Sequence, residues 1–142
     1  MRRYLGVGVI HRAAGPELLA ACQKIGGCPT GEARITPGFR LPARWVVHTV
    51  GPVWHGGTRG EEGQLASCYR ESVALAAEHG ARTMAFPSIS TGAFGYPVER
   101  AAPVVIGALR EALAAHPEVE RITMVCRGNE TFDAFRRGIG EA

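Results

Sequence analysis

Thr83-Met84-Ala85-Phe86-Pro87, followed by Ser88-Ile89-Ser90-Thr91-Gly92-Ala93-Phe94-Gly95-Tyr96-Pro97, is the stretch on which the fold of this chain turns. Thr83 to Ile89 reads as a strand, with Pro87 near its end because proline cannot donate to a ladder. A helix opens at Pro97, where a missing N–H costs nothing, and runs to about Ala115 with a bend expected near Pro103. Strand, small-residue loop and helix in that order are the unit of an α/β layer fold. Loops at the carboxyl ends of strands in open α/β sheets are where ligands bind, and small residues let backbone N–H groups approach an anion. The dipole of the following helix favours negative charge at the same place. The loop is therefore a candidate phosphate cradle, although a Gly-x-x-Gly turn taken alone serves equally well as a plain connection.

Elements of both periods extend in each direction. Upstream, Pro16 to Ile25 is a helix with Leu18, Leu19, Cys22 and Ile25 on its apolar stripe and Gly26-Gly27 as its stop. A short extended piece spans Ala33 to Thr36, and Trp45 to Val50 reads as a buried strand closed by Gly51-Pro52. Gly56 to Gly60 is a flexible loop, and Glu61 to His79 carries Leu65, Tyr69, Val73 and Ala76 at helical spacing. Downstream, Arg121 to Cys126 is the last strand. Thr131 to Gly138 is a closing helix, with Asn129 or Glu130 near its cap.

The 142 residues, 46% of them hydrophobic, suit one domain with a real core over residues 1–142. The net charge of +3 is spread along the chain; it suits an anionic ligand and equally an ordinary surface. Cys22, Cys28, Cys68 and Cys126 form no Cys-x-x-Cys pair and follow no secretory segment, so a reduced, cytoplasmic protein is expected. No apolar run approaches the roughly 18 residues that span a bilayer, which argues against a membrane role.

The candidate loop occurs together with Ile10-His11-Arg12-Ala13-Ala14-Gly15, Cys28-Pro29-Thr30-Gly31-Glu32-Ala33 and Trp45 to Pro52. That ordered set resembles the macrodomain family, in particular its branch of O-acetyl-ADP-ribose deacetylases and mono-ADP-ribosyl hydrolases, from about Gly6 to the final helix. The resemblance implies a mixed, mostly parallel sheet sandwiched between helices, without cofactor. It also implies that the loop wraps the diphosphate and distal ribose of ADP-ribose, O-acetyl-ADP-ribose or ADP-ribosylated proteins. Ser90 and Tyr96 would bound that loop, Thr91, Gly92, Ala93 and Phe94 would offer backbone donors, Phe94 would also cover the distal ribose, and Gly95 would supply the tight turn. Arg127, just after the last strand, stands where the family approaches adenine; it could stack on the base or simply be a solvated arginine.

The family pattern also includes two earlier strands, the second leading through an Asn-Ala-Ala-Asn signature into a glycine-rich loop with an aspartate. This sequence matches the pattern only from that loop, so the sheet is expected to lack its first strands, one of them between Trp45–Val50 and Thr83–Ile89. Gly6-Val7-Gly8 occupies the catalytic loop position, and Val7 stands where relatives carry the aspartate. An incomplete sheet could close by homo-oligomerisation. His11, His48 and His55 fit no metal spacing, so no metal is expected. Cys22 and Cys28 read as buried thiols without a paired base, and Ser88 and Ser90 stand in no nucleophile elbow. Three functions compete: hydrolysis at the distal ribose, ADP-ribose or nucleotide binding without turnover, and RNA binding. The last lacks an aromatic stacking surface.

Overall fold

The computed structural model describes residues 5–140, with side chains from Ile10 onward. Helices α1 (Leu5–Ala14) and α2 (Pro16–Ile25) are followed by strands β1 (Ala33–Pro37) and β2 (Trp45–Thr49), then α3 (Glu61–Glu78), β3 (Thr83–Pro87), α4 (Val98–Ala115), β4 (Arg121–Val125) and α5 (Asn129–Gly138). Most boundaries fall where the sequence puts them. The α2 helix starts at its proline and stops at Gly26, whose φ of 80° suits a residue without Cβ.

Two expectations fail. The backbone of Leu5 to Ala14, including Gly6, Val7 and Gly8, is helical rather than an open glycine loop. Leu5, Val9 and Ala13 recur at fourfold spacing, and two glycines tax a helix by about 1 kcal/mol each without forbidding it. The last helix is capped by Gly128 without a side-chain hydrogen bond, instead of by Asn129 or Glu130, both of which lie inside it.

The sheet is mixed and divided. β1 and β2 pair antiparallel, Ala33 opposite Thr49 and Pro37 opposite Trp45. β3 and β4 pair parallel, Thr83 beside Arg121 and Pro87 beside Val125. Among the described residues no ladder joins β2 to β3, and each keeps one edge without a strand partner there. Trp45 to Thr49 is accordingly half-buried rather than buried.

The core lies between α3, α4, α5 and one face of the β3–β4 pair. Leu65, Cys68, Tyr69, Val73, Val105 and Ala101 are fully enclosed, with Met84, Phe86, Ile122 and Met124 facing them from the strands. Full burial of each large aliphatic side chain contributes roughly 1.5–3 kcal/mol. The opposite face, with Thr83, Ala85, Arg121 and Thr123, is exposed, and Val125 is 60% exposed. The rigid side of this packing therefore fixes the carboxyl ends of β3 and β4, from which the candidate loops leave.

A candidate anion-binding loop at the strand ends

Residues 88–97 leave β3 and enter α4 as a structured turn. Tyr69, buried on α3, stitches its start: the hydroxyl donates to Pro87 O at 2.9 Å and accepts from Ile89 N–H at 3.0 Å. Burial pushes the Tyr69 phenol well above its ordinary range, so it serves as a neutral hydroxyl. The Thr91 hydroxyl lies within hydrogen-bonding distance of Ser88 O at 3.1 Å and Ser88 Oγ at 2.8 Å. Gly95 N–H donates to Gly92 O and Tyr96 N–H to Ser90 O, at 3.0 and 2.9 Å. Gly95, with φ of 75°, makes the tight turn.

Ser90 carries two costs at once. Its φ is 67°, a conformation that strains a residue with a Cβ by about 1–2 kcal/mol. Its hydroxyl is buried with no hydrogen-bond partner among the described residues. A buried orphan of this kind costs about 1–3 kcal/mol. Such a combination persists only where the surroundings enforce it, and it clusters at ligand sites. The N–H groups of Thr91, Gly92 and Ala93 donate to no acceptor among the described residues. Gly92 and Ala93 are exposed, so an anion can reach them. Helix α4 follows without a side-chain cap, adding its positive end.

Three strand ends converge here. Gly51, just past β2, packs on Ile89 and Ser90, where a Cβ would collide with Ile89 Cγ2 and Ser90 Oγ. Because β3 and β4 are parallel, Arg127 leaves from the same rim, exposed and on the side of β4. The candidate residues Ser90 to Tyr96 thus share one turn, Arg127 stands at the neighbouring strand end, and the Val7 side chain lies outside the described residues. Tyr96 is buried and carries packing as well as backbone.

Two open cavities, about 510 and 270 Å³, run between α3 and α4 rather than over the loop. The smaller reaches Trp54, Tyr96 and Arg100 and so touches only the back of the turn. A shallow rim with free amides suits a phosphate, whose recognition needs donors rather than an apolar hole.

Other residues separate from the site. Among the described residues no group of His, Cys, Asp and Glu can hold a metal ion. Cys22 does have a base nearby, contrary to the reading from sequence: its Sγ lies 3.7 Å from His48 Nδ1, and Thr36 Oγ1 lies 2.9 Å from Nε2. Burial raises the thiol, and burial with the nearby His11 lowers the imidazole, so both favour their neutral forms and the pair joins α2 to β2 structurally. Cys22 and Cys28 are half-buried, not enclosed. Sequence reasoning missed Tyr69, Trp54 and Glu61. Only Glu61 left a signal, an acidic residue opening a helix after a glycine-rich loop.

Comparison with known proteins identifies the fold that carries this loop. The Macro domain model matches residues 6–105. A macro domain-containing protein of Chlorobaculum tepidum is 57% identical over 132 residues, covering 93% of this chain and 77% of the relative. A Klebsiella pneumoniae relative named O-acetyl-ADP-ribose deacetylase is 49% identical over 134 residues, covering 92% and 77%. Among solved structures, the Oceanobacillus iheyensis macrodomain with ADP superposes with a TM-score of 0.87 at 37% identity, covering 94% of this chain and 73% of that one. The Trypanosoma brucei macrodomain in complex with ADP-ribose gives 0.86 at 38% identity, covering 94% and 56%. From the strand-end loop, the α/β packing around it and these matches together, the chain belongs to the macrodomain family.

Proposed function

We propose that this macrodomain binds ADP-ribose, with the diphosphate on the backbone amides of Thr91 to Phe94 and the positive end of α4. The observation that carries the reading is the strained turn at Ser90 followed by the N–H groups of Thr91, Gly92 and Ala93, which have no acceptor among the described residues. The relatives solved with ADP and ADP-ribose support the same ligand class. The adenine end would pass toward Arg127 and the distal ribose toward Phe94. Calorimetric titration with ADP-ribose tests the reading: saturable binding is expected, and no heat at millimolar ligand overturns it.

Hydrolysis at the distal ribose, of O-acetyl-ADP-ribose or of mono-ADP-ribosylated protein, is the finer proposal. The names of the Klebsiella relatives support it. Against a fast reaction stands the segment Gly6-Val7-Gly8, helical in backbone and without a proton-accepting side chain. Binding with slow turnover is the state that these observations favour. A cytoplasmic location and association into homo-oligomers through the open strand edges complete the proposal; among the described residues, no helix is long and apolar enough to cross a membrane.

A further inference from the structure

Residues 51–60, between β2 and α3, have no regular secondary structure, yet they are pinned at three places. Gly51 packs on Ile89 and Ser90. Trp54 N–H donates to Phe94 O at 2.9 Å. The Trp54 ring lies 4.6 Å from the Tyr96 ring at 46°, with the Arg100 guanidinium 4.9 Å from its centroid. The far end of the segment is held by Glu61, a carboxylate only 1% exposed. It accepts N–H groups from His55 and Gly57, each at 2.9 Å, and from Arg59 at 2.6 Å. A glycine-rich stretch read from sequence as flexible is therefore fixed by one buried anion.

The segment backs the anion loop along its length. Within the loop, Gly95 N–H donates to Gly92 O and Tyr96 N–H to Ser90 O, both across short sequence distances. The contact of Trp54 with both Phe94 and Tyr96 adds a long-range constraint, from residues about 40 positions away in sequence.

We propose that Trp54 is a positioning residue for the diphosphate loop: its main-chain N–H and its indole hold Phe94 and Tyr96 so that the amides of Thr91 to Phe94 converge on one anion, with Glu61 locking the segment that carries it. The proposal rests on the ADP-ribose reading given above. A pre-ordered loop spares the ligand the entropy of ordering it, so the gain appears as affinity rather than as fold stability.

The test compares the unaltered protein with Trp54→Ala and Trp54→Phe by hydrogen–deuterium exchange without ligand and by titration with ADP-ribose. Trp54→Ala should exchange faster over 88–97 while α4 and the strands keep their protection, and its ADP-ribose affinity should fall by about ten- to a hundredfold. Trp54→Phe, which keeps a ring against Tyr96, should recover most of both. Where Trp54→Ala fails to fold, Trp54→Leu keeps apolar bulk and loses the ring contact, and the same loosening is expected. Unchanged exchange over 88–97, or unchanged affinity despite faster exchange, overturns the positioning role. If the unaltered protein does not bind ADP-ribose, the functional reading fails by itself and the exchange data still decide whether Trp54 holds the loop.

Discussion

Gly51 and Ser90 are in contact at the point where β2 and the loop after β3 meet, and the contact leaves no room for a Cβ on Gly51. Gly51→Ala should therefore destabilise by about 1–3 kcal/mol, the usual cost of overpacking. Adding Ser90→Gly removes both the clashing hydroxyl and the strain at φ of 67°, so the double variant should regain part of the loss. Urea denaturation of the four chains measures the coupling, and strictly additive effects would mean that the two residues do not press on each other.

Gly92→Glu addresses the ligand without touching the packing. A Cβ at Gly92 meets nothing within 4 Å, so the variant should melt as the unaltered chain does. It places a carboxylate beside the amides assigned to the diphosphate, and ADP-ribose affinity should fall at least about a hundredfold, since each factor of ten is roughly 1.4 kcal/mol. Unchanged calorimetric affinity would move the binding site away from this loop.

What could be read from sequence was local. Pro16 and Gly26 bound α2, Pro97 marks the start of α4, and Gly95 supplies a positive φ that its neighbours could not adopt as cheaply. The contacts of Tyr69 with Pro87, Trp54 with Phe94 and Cys22 with His48 join residues 18 to 40 positions apart and leave no periodic trace. The helix over Leu5–Ala14 was hidden by two glycines, and the role of Glu61 by a loop composition that usually means freedom.

Glu61 makes a prediction about pH. Burial opposes its charge, but backbone N–H donors from His55, Gly57 and Arg59, with its own, overcome this and hold the carboxyl at about 2, below the ordinary 4.5. A depressed value means that the unfolded chain takes up the proton first. The stabilisation is thus complete above about pH 4.5 and drains away as the pH falls toward 2. Glu61→Gln should melt lower than the unaltered chain at pH 6, and the gap should narrow steadily below pH 4.5. A constant gap from pH 6 to pH 3 would show that the carboxylate charge is not what the loop depends on.

The open edges of β2 and β3 predict association. Unpaired strand edges invite pairing with another chain, and Val50, directly after β2, adds exposed apolar surface there, 37% exposed. Light scattering should give a mass above 15.1 kDa that rises with concentration. A monodisperse species at 15.1 kDa with a cooperative melt would show that the chain satisfies these edges alone.

Val7 makes the last prediction, about rate. Its backbone lies in α1, and valine neither accepts a proton nor orients water. Any water near the distal ribose would be held by backbone groups and by the substrate's own phosphate. General-base assistance is typically worth 10²–10⁴-fold, roughly 3–5 kcal/mol of barrier. The proposed binding through Ser90 to Tyr96 does not require that group, so affinity and turnover should part company. Single-turnover deacetylation of O-acetyl-ADP-ribose should therefore run about 10²–10⁴-fold slower than in the Klebsiella pneumoniae relative, at comparable ligand affinity. Val7→Asp should recover little, because members of one catalytic unit act non-additively. A rate equal to the relative's in the unaltered chain would mean that the reaction needs no side chain at Val7. A large recovery in Val7→Asp would instead mean that the segment opens into a loop when substrate binds.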